Sequence, residues 1–299
     1  MWVGEDPAYS ARYGKSPGNG AFSLSPARFR CSPRGDEGGM AATADRLTAA
    51  EIYERVESNA DDELQRSASA LAFSGLGAGI AMGLTGLGVA SALAILGEGQ
   101  WARFVSSMLY PVGFIAVIVG RAQLFTENTL YPVVVAVDRH DRRTFFGMAR
   151  LWTIVFATNI VGAFVFALLA VKGGGLEPKI LDHLIKLGRD AGDHSWRDVF
   201  VSGIFGGWLV ALVAWLVSAA QRTIGQIVII WMLTFMLGVA HFSHCIASSG
   251  EIMSSVLNGT TRPGAYFAWL AAATLGNVVG GVFIVALLNY GQVRPDGHD

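Results

Sequence analysis

Residues 120–132 read GRAQLFTENTLYP and lie between two apolar runs, Phe104–Val119 and Leu130–Val137. An arginine, a glutamate, an asparagine and a proline stand where a bilayer crossing needs aliphatic residues. Non-helical backbone at membrane depth persists only where protein covers it or where it faces a watery cavity. The stretch therefore predicts a helix broken at a buried, polar interruption. A second interruption, HFSHCIASSGEI (241–252), follows the apolar run Ile227–Val239, and its helix is expected to resume around Ile252–Leu257.

The composition agrees. Of 299 residues, 52% are hydrophobic and 15% charged, whereas soluble domains are about 25% charged. A helix crosses the hydrocarbon core with about 20 apolar residues, and four uninterrupted runs qualify: Ala68–Leu96, Trp152–Val171, Val199–Ala220 and Tyr266–Tyr290. With the two broken helices they predict an all-α integral membrane protein of six transmembrane helices. A formal net charge of −1 gives no sign of a nucleic-acid partner; the partner is the lipid bilayer. Two cysteines, Cys31 and Cys245, do not make a disulfide framework.

Residues 1–40 are rich in Gly, Pro, Ser and Arg and lack a signal peptide's apolar core. They are expected to be disordered, with Met40 as the expected start of the protein proper. Residues 41–67 read as a charged, amphipathic surface helix with Leu47, Ile52, Val56 and Leu64 along one stripe. Residues 68–291 form the six-helix domain and 292–299 a tail.

Sliding the chain on itself reveals an internal repeat. At an offset of 118, TNIVGAFVFALL falls on GNVVGGVFIVAL, with Asn159 on Asn277 and Gly120 on Gly238. At an offset of 128, Ser74, Gly75 and Gly79 fall on Ser202, Gly203 and Gly207. Three spans per half is an odd number, so the halves are inverted relative to each other. The broken helices are the second and fifth, in corresponding positions. That pairing points to a transport site near the midplane. Lys and Arg residues flanking the spans divide almost evenly between the two sides, so the positive-inside rule does not orient the chain.

Glu127 and Asn128 stand where a half-helix restarts, with Pro132 in its first turn, which reads as capping. Ser248 and Glu251 have the S-x-x-E spacing of a capping box. His241, His244 and Cys245 fall at i, i+3 and i+4, but no fourth ligand stands at a convincing spacing, so no metal is expected. Ser243 and Cys245 flank His244 too closely for a hydrolytic triad. The 118-residue offset instead sets Thr126 on His244. Two symmetry-related polar groups would then face each other, able to donate a hydrogen bond to a small anion or to pass it a proton.

These residues resemble the formate–nitrite transporter family. The resemblance runs from Ser74 to Leu288 and rests on LFT in the first break, the histidine of HFSHCIA in the second, and the paired TNIVG and GNVVG spans. It implies an aquaporin-like fold, a homopentamer with one pathway per protomer, and no cofactor or metal. It also implies a bacterial inner membrane with both termini cytoplasmic, and passage of small monovalent anions such as formate, nitrite or acetate. By position, Leu124, Phe125 and Thr126 make the first re-entrant loop and His244 is the central histidine. Tyr110, Phe114 and Leu237 fall where bulky residues constrict the pathway, with ordinary helix packing as the alternative. Asn159 and Asn277 are expected to pin the broken helices.

Three departures stand out. Gly207 takes a fourth-span position where formate channels carry asparagine. No lysine precedes that span in the expected place, leaving Arg197 or His194 as loose substitutes. The LFTEN loop sets the Glu127 carboxylate beside Thr126. Two other readings stay open: an aquaporin-like pore for small neutral solutes, although neither break carries Asn-Pro-Ala, and a non-transporting scaffold or sensor.

Overall fold

The computed structural model describes residues 46–293. The stretch predicted to be disordered, 1–40, and residues 294–299 lie outside the described residues. No strand occurs among those described.

The chain begins with α1 (Ala49–Gln65), started by a capping box in which Thr48 and Glu51 satisfy each other's backbone amides. Val56 and Ala60 are fully buried, so α1 is packed against the helical body rather than loose on its surface. Arg139 clamps it through Glu57 and Asp61, at 3.2 and 2.7 Å.

The first crossing is α2 (Ala68–Leu96); α3 (Gln100–Ser107) and α4 (Pro111–Val119) form the next. After the break, a 3₁₀ turn (Glu127–Thr129) leads into α5 (Tyr131–Arg139). The third crossing, α6 (Arg142–Lys172), starts well before the predicted Trp152, because Asp141 caps it by accepting from the Thr144 amide at 2.9 Å. An unpredicted helix, α7 (Pro178–Gly192), joins the halves. Then follow α8 (Trp196–Ala219), α9 (Thr223–Val239), α10 (Ala247–Asn258) and α11 (Pro263–Val279). A π-helical stretch (Gly280–Ala286) carries α11 into α12 (Leu287–Val293), so the expected tail begins inside a helix. Five of these segments are long and apolar enough to cross a membrane; the sixth, α9, has 17 residues.

Close approach of α2 to α6, and of α8 to α11, fixes the scaffold. A Cβ on Gly79 would run into the Asn159 carbonyl, and one on Gly207 into the Asn277 carbonyl. Only glycine admits those backbones, in a setting where small residues replace the hydrophobic effect as the source of helix association. Gly207 therefore faces α11, and an asparagine does not fit there.

Both breaks are built alike. Helix α4 ends at Gly120 and turns through Arg121 at φ 57°; α9 ends at Ala240 and turns through His241 at φ 52°. The Ala122 amide reaches back to the Val117 carbonyl at 3.0 Å, and the Phe242 amide to that of Leu237 at 3.1 Å. A left-handed non-glycine residue costs about 1–2 kcal/mol, and each half bears that cost at the same point.

Candidate functional site

The equivalent turns, Arg121 and His241, are 120 residues apart. The breaks therefore superimpose at 120, not at the 118 that aligns the third and sixth spans. The second half is two residues shorter between its break and its last span. Leu124 is the counterpart of His244, and Thr126 of Ile246.

Asn159 and Asn277 hold the two breaks identically. Asn159 accepts from the Phe125 amide at 2.9 Å and donates to the Gly75 and Gln123 carbonyls at 2.8 and 2.9 Å. Asn277 accepts from the Cys245 amide at 2.9 Å and donates to the Gly203 and Ser243 carbonyls at 2.8 and 2.9 Å. Two hydroxyls missed in the sequence complete the scheme: Ser74 accepts from the Gln123 amide and Ser202 from the Ser243 amide. Their signal was the 128-residue repeat of SG.

Thr126 and His244 do meet, although they are not symmetry mates. Thr126 Oγ1 lies 2.8 Å from His244 Nε2, and both side chains are fully buried. The Ala247 amide donates to His244 Nδ1 at 3.0 Å. Nδ1 is thus an acceptor without a proton, and the neutral ring carries its proton on Nε2. Nε2–H donates to Thr126 Oγ1, and the threonine's own hydroxyl proton stays available. The Thr126 carbonyl is held by the Thr129 hydroxyl at 2.7 Å.

The predicted caps are not caps. Asn128 turns its side-chain amide back to Gln123 Oε1 and the Leu124 carbonyl, at 2.9 and 3.2 Å. No side chain caps α5, because the 3₁₀ turn bonds its own amides, as Leu130 to Glu127 at 3.0 Å, and Pro132 has no N–H. Helix α10 starts at Ala247, five residues ahead of the predicted restart, because the His244 imidazole takes its first amide. Ser248 and Glu251 are consequently inside α10, and no capping box forms.

Two cavities flank this pair. The larger, about 340 Å³, is lined by Tyr110, Leu237, His241, Ser248 and Glu251, with α7 along one wall. The smaller, about 60 Å³, is lined by Arg121, Leu124, Glu127 and Tyr131, with Asn59 and Glu63 of α1 at its mouth. Equivalent positions line both: Arg121 with His241, Gln123 with Ser243, Asn128 with Ser248, Tyr131 with Glu251. Helix α4 runs from the larger cavity at Tyr110 to the smaller at Ile118, whereas α9 runs from the smaller at Gln226 to the larger at Leu237. That opposite sense is the predicted inversion.

Between the cavities the protein is closed. Phe114 is fully buried, with its ring 5.8 Å from Tyr110 and 5.1 Å, edge-on, from the His244 imidazole. Leu237 and Leu124 close the two faces of this waist. Phe125 lines neither cavity; it turns outward onto Trp152 and Phe156, at 5.6 and 4.9 Å. A lysine does line the larger cavity, Lys186 on α7, joined by Arg103 and His194, whereas Arg197 does not line it. Lys186 pairs with Glu98 and holds that exposed carboxyl below the usual carboxylate range.

Residues 50–291 match the family model described as formate/nitrite transporter. The chain belongs to that family. Among relatives of the formate/nitrite transporter type, inner membrane protein YfdC of Escherichia coli is 33% identical over 82% of this chain and 79% of its own. A probable formate transporter of Methanothermobacter thermautotrophicus is 31% identical over 62% of this chain and 73% of its own. The fold is also that of a solved FNT family ion channel, with a TM-score of 0.69 at 21% identity, covering 82% of this chain and 99% of that one. A pentameric formate channel with formate bound superimposes at a TM-score of 0.63, with 18% identity, over 79% and 98% of the two chains.

Proposed function

We propose that this protein is a channel for small monovalent anions, which it passes through the waist as their conjugate acids, in a bacterial inner membrane. The observation that carries the reading is the buried Thr126–His244 hydrogen bond at the closed point between two cavities. A bare anion is costly to move past Phe114, Leu237 and Leu124, whereas a neutral acid needs only hydrogen-bond partners. The Thr126 hydroxyl supplies a donor there, and His244 fixes its orientation.

His244 serves as an anchor in this scheme rather than as a carrier of the proton. Protonating Nδ1 would set an N–H against the Ala247 amide and undo the start of α10. The pathway residues are Tyr110, Leu237, Phe114, Thr126, His244 and Leu124, in that order from the larger cavity. Membership of the family, and the bound formate and pentameric state of the structural relative, support a homopentamer with one pathway in each protomer and both termini cytoplasmic.

The test is uptake of formate, nitrite and acetate by liposomes that hold the purified protein. Uptake rises as external pH falls. Osmotic swelling in glycerol separates the alternative, since a general pore for neutral solutes admits glycerol and an acid-selective waist does not.

A further inference from the structure

Two buried carboxyl groups remain without a role in that pathway. Glu251 is 7% exposed and lines the larger cavity; Glu127 is 9% exposed and lines the smaller. No hydrogen bond or ion pair among the described residues reaches either carboxylate. Glu251 is nevertheless given room: a Cβ on Gly86 would lie 2.7 Å from its Oε1, so α2 leaves a notch where that carboxyl sits.

Their surroundings differ. Around Glu251, the residue preceding α4 is Tyr110, and α7 with the turn after it brings His183, Lys186, Asp190 and His194. Arg103, His241 and Glu98 complete the ionisable groups of that cavity, while α2 and α11 line it with Val89, Leu93 and Trp269 only. Around Glu127 stand Arg121, Tyr131 and, from α1, Glu63. With its histidines neutral, the larger cavity sets two cations, Arg103 and Lys186, against Glu98, Asp190 and Glu251, so an ionised Glu251 would leave it net negative. An ionised carboxylate buried without a partner is costly, and it would repel an arriving anion. A protonated carboxyl does the opposite, since it presents an O–H donor.

We infer that Glu251 and Glu127 are proton-exchange groups, one in each cavity, that give a small monocarboxylate its proton before the waist and take it back beyond. On entry from the larger cavity, the O–H bond of Glu251 breaks as an O–H bond forms on the substrate carboxylate. The neutral acid crosses the waist, and the Glu251 carboxylate regains a proton from cavity water. In the smaller cavity Glu127 first loses its proton to cavity water, then takes the proton of the arriving acid and so returns to its protonated form. One monocarboxylate and one proton move together, and nothing is oxidised or reduced. The inference rests on the acid-permeation reading above.

The experiment is formate uptake into liposomes at fixed total formate, between about pH 5 and about pH 7. Free formic acid falls about 100-fold over that interval. Protonation in bulk water makes uptake fall by the same factor, whereas protonation by the cavity carboxyls makes wild-type uptake fall far less. The double variant Glu251→Gln/Glu127→Gln is expected to restore the full fall of about 100-fold, and Glu251→Asp/Glu127→Asp to keep the shallow profile. A wild-type fall of about 100-fold overturns the inference without any variant, and so does a shallow profile in an assembled double Gln variant. Either result leaves the acid-permeation reading standing. A wild type that passes no small monocarboxylate at any pH overturns that reading and the inference with it.

Discussion

Thr126 is hydrogen-bonded to His244 at 2.8 Å, yet its counterpart in the second half of the repeat is Ile246. The polar centre of this pseudo-symmetric protein is therefore asymmetric, one hydroxyl from the first break against one imidazole from the second. Removing the hydroxyl tests that arrangement. A net hydrogen bond is worth about 0.5–1.5 kcal/mol, so Thr126→Val is expected to lower formate flux by about two- to thirteenfold. Thr126→Ser, which keeps the hydroxyl, is expected to stay near wild type in the same liposome assay.

The asparagine pins predict stability rather than selectivity. Asn159→Ala strips the Phe125 amide of its acceptor and two carbonyls of their donors, and Asn277→Ala does the same to the second break. Orphaned buried groups cost about 1–3 kcal/mol each. Both variants should lose assembled protein at lower temperature in detergent, and by similar amounts because the two sets of bonds match. A large loss for one and none for the other would contradict the equivalence of the breaks.

Gly79 and Gly207 carry the same symmetry into the helix contacts. An added methyl at either position meets a carbonyl of the facing helix, and overpacking of this kind costs about 1–3 kcal/mol. Gly79→Ala and Gly207→Ala are each expected to lower thermal stability in detergent. Gly207→Asn, the residue of formate channels at that position, should be worse than Gly207→Ala.

Outside the membrane, the Glu98 carboxyl reaches Lys186, with His183 Nδ1 3.8 Å away. Lys186 holds the folded pKa of Glu98 below its ordinary value. The pair therefore contributes above the unfolded pKa and is lost as pH falls through the lowered folded value. Hydrogen exchange in α7 should rise on acidification below about pH 4. Glu98→Gln should show the raised exchange at neutral pH and no further acid step.

Much of this was legible in the sequence. The first break announced itself by Arg, Glu, Asn and Pro among aliphatic residues and the second by His, Ser and Glu, and Asn159 with Asn277 fell out of the repeat. The 118-residue offset misled at the breaks because it was set by the third and sixth spans, where glycines and aliphatic residues give a strong match. A two-residue shortening between break and span leaves no mark in such a comparison. The caps failed for a different reason. Helix α10 is started by the His244 ring from outside the helix, and side-chain spacing carries no trace of that contact. Phe125 was placed in the pathway by position alone, while its packing partners, Trp152 and Phe156, lie on another helix. Helix α7 escaped because its apolar residues, such as Leu184 and Ile185, are spread among charges in a stretch too polar to read as a span.

In the proposed function, the hydrogen-bonded pair at the waist carries permeation, with His244 anchoring Thr126 and the start of α10. The most direct measurement is formate flux at acid pH into liposomes holding His244→Ala, with assembly verified by size-exclusion chromatography. Loss of two buried hydrogen bonds at about 1 kcal/mol or more each predicts a fall of at least about tenfold in an assembled protein. Flux equal to that of wild type would rule out this role for His244 and Thr126.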